Sequence, residues 1–167
     1  MQQVLLGLGT NLGDRRANLR RAVRRLGDVL EVTAVSPVYE TAPWGVEDQP
    51  DFYNVCVAAL SEHQPHKLFE LLKALEVDMG RTPTRHWGPR VIDIDILLYG
   101  KQVVNTEDLV IPHERLAERA FVLAPLADIA PNVTHPVLER KVSELLEGVD
   151  TGGVQRLPEP LFSENAT

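Results

Sequence analysis

The sequence predicts an α+β sandwich whose N-terminal part runs in the order β-α-β-β-α-β. Three observations predict it. Apolar, β-branched runs of strand length occur at Val4–Gly9, Glu31–Tyr39, Phe52–Leu60 and Ile92–Tyr99. Two stretches between them place leucines at helical spacing. The helices follow the first and third strands, which is the ferredoxin-like arrangement, with both helices on one face of the sheet. A less regular extension follows at the C-terminus. We expect one domain over residues 1–167, with a core at about 3–130 and a mobile tail at about 150–167, where glycines and prolines occur without periodicity.

The first strand ends in Thr10-Asn11-Leu12-Gly13-Asp14, a turn into a helix spanning about Asp14 to Val29. Gly7, Gly9 and Gly13 do not make a dinucleotide-binding turn, because the third glycine comes one position late. Leu19, Ala22, Val23 and Leu26 form the apolar stripe of the helix, and its arginines a solvated face. After the strand Glu31–Tyr39, the loop 40–51 carries Trp44 and has the length of a binding lid. In the strand Phe52–Leu60, Asn54 shares a face with Cys56 and Ala58, and a buried amide there needs partners. Pro65 opens the second helix, with Leu68, Leu71, Leu72, Leu75 and Met79 as its stripe and Gly80 as its stop. Arg115 to Leu126 and Val142 to Leu146 read as short helices, and Val103-Val104 as a short strand.

The last strand of the core is the most informative. Ile92, Ile94, Ile96 and Leu98 form one apolar face, and Asp93, Asp95, Leu97 and Tyr99 the other. Carboxylates two strand residues apart lie about 6.5–7 Å from one another along the backbone and can share a cation. Mg²⁺ removes their repulsion and is commonly held by one or two carboxylates together with substrate phosphates. Just upstream, Arg81, Arg85 and Arg90 surround Trp87. Guanidinium groups suit phosphate oxygens, and the indole can stack on a heterocycle. Mg²⁺-nucleotide chemistry is the reading this combination supports. A non-catalytic ligand-binding module and a metal-dependent phosphohydrolase are the alternatives.

A formal charge of −7 argues against nucleic-acid binding, where a basic footprint is expected. The one cysteine, Cys56, permits no internal disulfide and points to a reducing, cytoplasmic compartment. No apolar run approaches the roughly 20 residues needed to span a bilayer, so no membrane partner is expected.

The run from His86 to Leu97, HWGPRVIDIDIL, resembles the diagnostic motif of the 6-hydroxymethyl-7,8-dihydropterin pyrophosphokinases of folate biosynthesis. Gly9-Thr10-Asn11-Leu12-Gly13, Tyr39-Glu40-Thr41-Ala42-Pro43, Gln49-Pro50-Asp51-Phe52-Tyr53-Asn54 and Ile111-Pro112-His113 resemble the family in the same order. The resemblance implies a monomeric transferase that moves pyrophosphate from ATP to the hydroxymethyl group of the pterin and releases AMP. It implies Asp93 and Asp95 as ligands of two Mg²⁺ ions, with Arg90, Asp95 and Arg81 catalytic. The pterin site carries over to Thr41, Ala42, Pro43, Trp44, Phe52, Asn54, Trp87 and Phe121. The ATP site carries over to Glu76, Arg85, Trp87, Arg90, Ile96, His113 and Arg119. Where other members have arginine, threonine and tyrosine toward ATP, this chain has Asp108, Val110 and Glu114.

Overall fold

A computed structural model describes residues 1–42, 49–80 and 91–162. In chain order the elements are β1 (Gln2–Thr10), α1 (Arg15–Leu26), β2 (Glu31–Val35), β3 (Tyr39–Thr41), β4 (Phe52–Ser61), α2 (Pro65–Asp78) and β5 (Asp93–Tyr99). The remainder comprises β6 (Val104–Asn105), β7 (Val110–Ile111), a 3-10 turn at Leu116–Glu118, α3 (Ala120–Ile129), α4 (Val142–Glu147) and β8 (Val154–Arg156). Mixed helices surround an antiparallel sheet in the order β5-β1-β4-β3-β8, with β2 paired to the far end of β4.

Local chemistry accounts for the two helices that follow β1 and β4. The Asp14 carboxylate accepts the Ala17 amide at 3.0 Å and caps α1, so the helix starts one residue later than a pattern reading places it. Leu19, Ala22, Val23 and Leu26 are all buried, as their spacing requires. Pro65 sits in the first turn of α2, and Gly80 just beyond it adopts φ +96°, a conformation disfavoured for side chains with a Cβ. Both helices pack with Leu6, Leu8, Val55, Val57 and Ile94 in one continuous core.

The structure departs from the sequence reading in four places. The strand expected over Glu31–Tyr39 is two strands, β2 and β3, separated by Ser36-Pro37-Val38; proline cannot donate to a ladder. In β5, Leu5 pairs with Leu98 but Leu6 pairs with Ile96, so Leu97 is an extra, bulged residue. The bulge reverses the alternation, sending Leu98 to the face of Leu97 and Tyr99 to that of the isoleucines. With both expected helices on one face, the face bearing Asp93 and Asp95 would be left open, and it is not open throughout. α3 and α4 cover its far half, burying Leu5, Cys56, Leu97 and Leu98 against Leu116, Leu123 and Leu126. Finally, the C-terminal stretch expected to be mobile is packed as far as Phe162: β8 pairs with β3, and Leu161 is buried in the core beside α1.

Candidate active site

Three adjacent strands build the floor of a cleft beside α3. Asn54 of β4 lies opposite Gly9 of β1, and Gly9 lies opposite Asp93 of β5. In the next row on the same face, Cys56 lies opposite Gly7 and Gly7 opposite Asp95. The central strand therefore contributes glycines where the outer strands carry an amide, a thiol and two carboxylates. A trough about 10 Å wide results, two strand spacings across. The trough over Gly9 is open to a ligand but has no room for a side chain beside Asn54. A Cβ there would stand 3.0 Å from Asn54 Oδ1 and 3.6 Å from Phe52 Cδ1. Thr41, Ala42 and Phe52 border the cleft on one side, and Phe121 and Arg119 on the other.

Asn54 is 7% exposed, and its Nδ2 meets no hydrogen-bond partner among the described residues. A buried amide donor left unpaired costs about 1–3 kcal/mol, so this donor is arranged for something that enters the cleft. The Cys56 thiol, by contrast, is raised far above its usual range by complete burial and is an inert floor group.

The carboxylate end of the trough is electrostatically loaded. Burial and then the neighbouring Asp93 carboxylate push Asp95 up to about 6, opposed by Lys73 and Arg119. A divalent cation bound between the two carboxylates would relieve that conflict, and two carboxylates open to further oxygen ligands suit Mg²⁺. No group of three or more acidic, histidine or cysteine side chains clusters at a metal-binding distance among the described residues. His113 Nε2 lies 3.9 Å from Asp95 Oδ2. Burial, followed by the charge of Arg119, holds His113 below the usual imidazole value. Its Nδ1 accepts the Arg115 amide at 3.3 Å, which leaves the proton of the neutral ring on Nε2, facing the carboxylates.

A second cleft opens on the other side of this group. It is lined by Phe69, Lys73, Ile96 and Val110, and it shares Asp95, His113 and Arg119 with the first. Two clefts meeting at a carboxylate, an imidazole and a guanidinium can hold two ligands with their reactive ends together.

Most of the site residues expected from the sequence and described in the structure converge on these clefts. Thr41, Ala42, Phe52, Asn54, Phe121 and Asp93 line the first, Ile96 the second, and Asp95, His113 and Arg119 both. Glu76 does not line either. It is 1% exposed beneath β5, where its carboxylate accepts the Ile94 amide at 2.6 Å and pairs with Lys73 at 3.1 Å. Its burial follows from its place on the core side of α2, one residue after Leu75. Pro43, Trp44, Arg81, Arg85, Trp87 and Arg90 lie outside the described residues. The sequence reading missed Gly7 and Gly9 as floor residues and Lys73 as a cation of the second cleft. Two glycines two apart in an otherwise apolar strand were the available signal for the first pair.

Comparison with known proteins adds to this geometry. The model of the family described as 7,8-dihydro-6-hydroxymethylpterin-pyrophosphokinase matches residues 5–131. The chain belongs to this family. A 2-amino-4-hydroxy-6-hydroxymethyldihydropteridine pyrophosphokinase of Methylorubrum extorquens is 45% identical over 94% of this chain and 99% of that relative. One of Aquifex aeolicus is 42% identical over 86% of this chain and 90% of that relative. The protein is accordingly an enzyme, a pyrophosphokinase and thus a transferase. In fold alone it resembles the crystal structure of Plasmodium falciparum HPPK-DHPS with pteroate, at 18% identity and a TM-score of 0.71. The chain covers 42% of that longer protein, and 88% of the chain is matched. No described helix of this pyrophosphokinase is long and apolar enough to cross a membrane.

Proposed function

We propose that this pyrophosphokinase transfers the terminal pyrophosphate of ATP to the hydroxymethyl group of 6-hydroxymethyl-7,8-dihydropterin, a step of folate biosynthesis. The observation that carries the reading is the unpaired Asn54 amide, one glycine away from Asp93 across the sheet. A flat heterocycle lying over Gly9 presents acceptors to Asn54 Nδ2 at one end. Its hydroxymethyl arm then reaches the carboxylates at the other. Phe121 and Phe52 flank it, and Thr41 and Ala42 form its lip. ATP occupies the second cleft, with its phosphates toward the shared Asp95, His113 and Arg119.

In the reaction the hydroxymethyl oxygen attacks the β-phosphorus and the bond from that phosphorus to the α,β-bridging oxygen breaks. AMP leaves with that oxygen, and the hydroxyl proton is released. Asp93 and Asp95 would hold Mg²⁺, two ions by resemblance, whose charge neutralises the phosphates and orients the reacting oxygens. The neutral His113 donates from Nε2 and Arg119 from its guanidinium to phosphate oxygens, without an added negative charge. Arg81, Arg85, Trp87 and Arg90 belong to this site by resemblance, with Arg90 steadying the transferring group. Pro43 and Trp44 extend the pterin side on the same ground.

We also read the topology as ferredoxin-like and the chain as a single domain; the antiparallel run β5-β1-β4-β2, with α1 and α2 packed into one core against it, supports both. One chain supplies both clefts, which supports a monomer, and its single cysteine supports a cytoplasmic setting.

Product analysis tests the reaction. Protein, Mg²⁺ and ATP are mixed with and without the pterin. AMP and pterin pyrophosphate should form in equal amounts, only when the pterin is present. Nucleotide cleavage without pterin would mark a phosphohydrolase, and binding without turnover a silent module. A second test concerns the trough. In Gly9→Ala the new Cβ presses on Asn54 Oδ1, so the pterin KM should rise about tenfold, the equivalent of one displaced hydrogen bond. The KM for ATP should change less than about twofold, since among the described residues the atoms nearest the new Cβ are those of Asn54 and Phe52, on the pterin side. Equal changes in both would remove Gly9 from the pterin floor.

A further inference from the structure

We propose that the segment 151–162 is a strap that holds Thr41 and Ala42, the lip of the pterin cleft, in binding-ready position. The inference rests on the pterin reading of that cleft. The segment lies beyond the residues matched by the family model, which end at 131.

The lip belongs to a weak element. β3 has three residues and pairs with β4 through Tyr39, Glu40 and Thr41 only. Its other edge would be bare without β8, which pairs with the same three residues through Arg156, Gln155 and Val154. The Thr41 hydroxyl donates to the Gly153 carbonyl at 3.3 Å, and the Leu157 amide donates to Val38 at 2.9 Å. Both ends of β3 are therefore tied to the tail by bonds outside the ladder.

The tail is anchored in turn. Leu161 is 2% exposed and packs into the core beside α1. Arg20 Nε donates to the Leu161 carbonyl at 2.8 Å, and the Arg16 guanidinium to those of Glu159 and Pro160 at 3.2 and 3.3 Å. The arginine face of α1 thus holds the end of the tail, and β8 of the same tail holds the lip. A three-residue strand paired on one side frays easily. With the strap removed, the pterin must order Thr41 and Ala42 as it binds, and affinity falls by the entropy of ordering them. ATP, on the far side of Asp95, does not depend on this lip.

Two variants test the strap: a chain ending at Asp150, and the full-length double substitution Arg16→Ala/Arg20→Ala, which removes the side-chain hydrogen bonds from α1 to the tail without removing core side chains. Dissociation constants are measured separately for 6-hydroxymethylpterin and for Mg²⁺ with α,β-methylene-ATP, which cannot transfer the group. Thermal melts run alongside. Pterin affinity should fall about tenfold in the shortened chain and severalfold in the double variant. Nucleotide affinity should stay within about twofold in both. If the shortened chain does not melt cooperatively, the double variant decides. Parallel loss of both ligands, or unchanged pterin affinity, overturns the strap. Failure of the intact chain to bind the pterin would instead sink the cleft reading, and the strap with it.

Discussion

Asp95→Asn should lower kcat by on the order of a thousandfold while the fold survives. The change keeps the size of the side chain and removes one of two negative charges at the junction of the clefts. Losing a single preorganised hydrogen-bond donor at a reacting centre costs about a hundredfold to a thousandfold, and here a charged ligand of the cation goes. Stability should move the other way. Without metal, the Asp95 carboxyl is raised from 3.8 to about 6, so the folded state holds its proton more tightly than the unfolded chain. That contribution is complete below pH 3.8 and is lost as pH rises through about 6. Asp95 therefore takes stability from the metal-free native protein across that window, a loss the Asn variant is spared. Its melting temperature should match or exceed that of the native protein above pH 6. Mg²⁺ should raise the melting temperature of the native protein, by preferential binding to the folded state, and leave the variant unmoved. Retained turnover in the variant would remove Asp95 from the metal site.

Glu76→Ala should destabilise the fold by about 3 kcal/mol. The substitution leaves the Ile94 amide, buried under α2, without the carboxylate that it meets at 2.6 Å. An orphaned buried amide costs about 1–3 kcal/mol, and a cavity in the core adds to it. For a chain of this length the melting temperature should drop roughly 6–12 °C. Glu76→Gln retains an acceptor for the amide and loses only the ion pair with Lys73, whose side chain is 35% exposed. It should cost less than half as much. Ile94 stands between Asp93 and Asp95, so the Ala variant should also lose activity by loosening the strand that presents them. Equal damage from both variants would mean that charge, rather than the hydrogen bond, is what β5 requires.

The chemistry of the site was legible locally. Asp93 and Asp95 share a face because strand side chains alternate, and the alternation holds as far as Ile96. Asn54 on an apolar face called for a partner, and its Nδ2 has none among the described residues. Past Ile96 the alternation failed, because a bulge is set by how two strands meet. Leu97 is extra only relative to Leu5 and Leu6. The same limit hid Gly7 and Gly9. Their missing side chains matter only because Asp95 and Cys56, and Asp93 and Asn54, stand on either side of them.

The arginines of α1 show the division most plainly. Their spacing identified an amphipathic helix, and Leu19, Ala22, Val23 and Leu26 are its buried stripe. What the polar face does depends on residues about 140 positions away, since Arg16 and Arg20 hold the carbonyls of Glu159, Pro160 and Leu161. The sequence by itself determined the two leading helices with their buried stripes, the strands they follow and the shared face of Asp93 and Asp95, because periodicity is a local property. Only the tertiary structure decided the register of β1 between β4 and β5, the bulge, the burial of Glu76 and the seat of the tail. Those depend on pairings between distant segments, which no short stretch of sequence encodes.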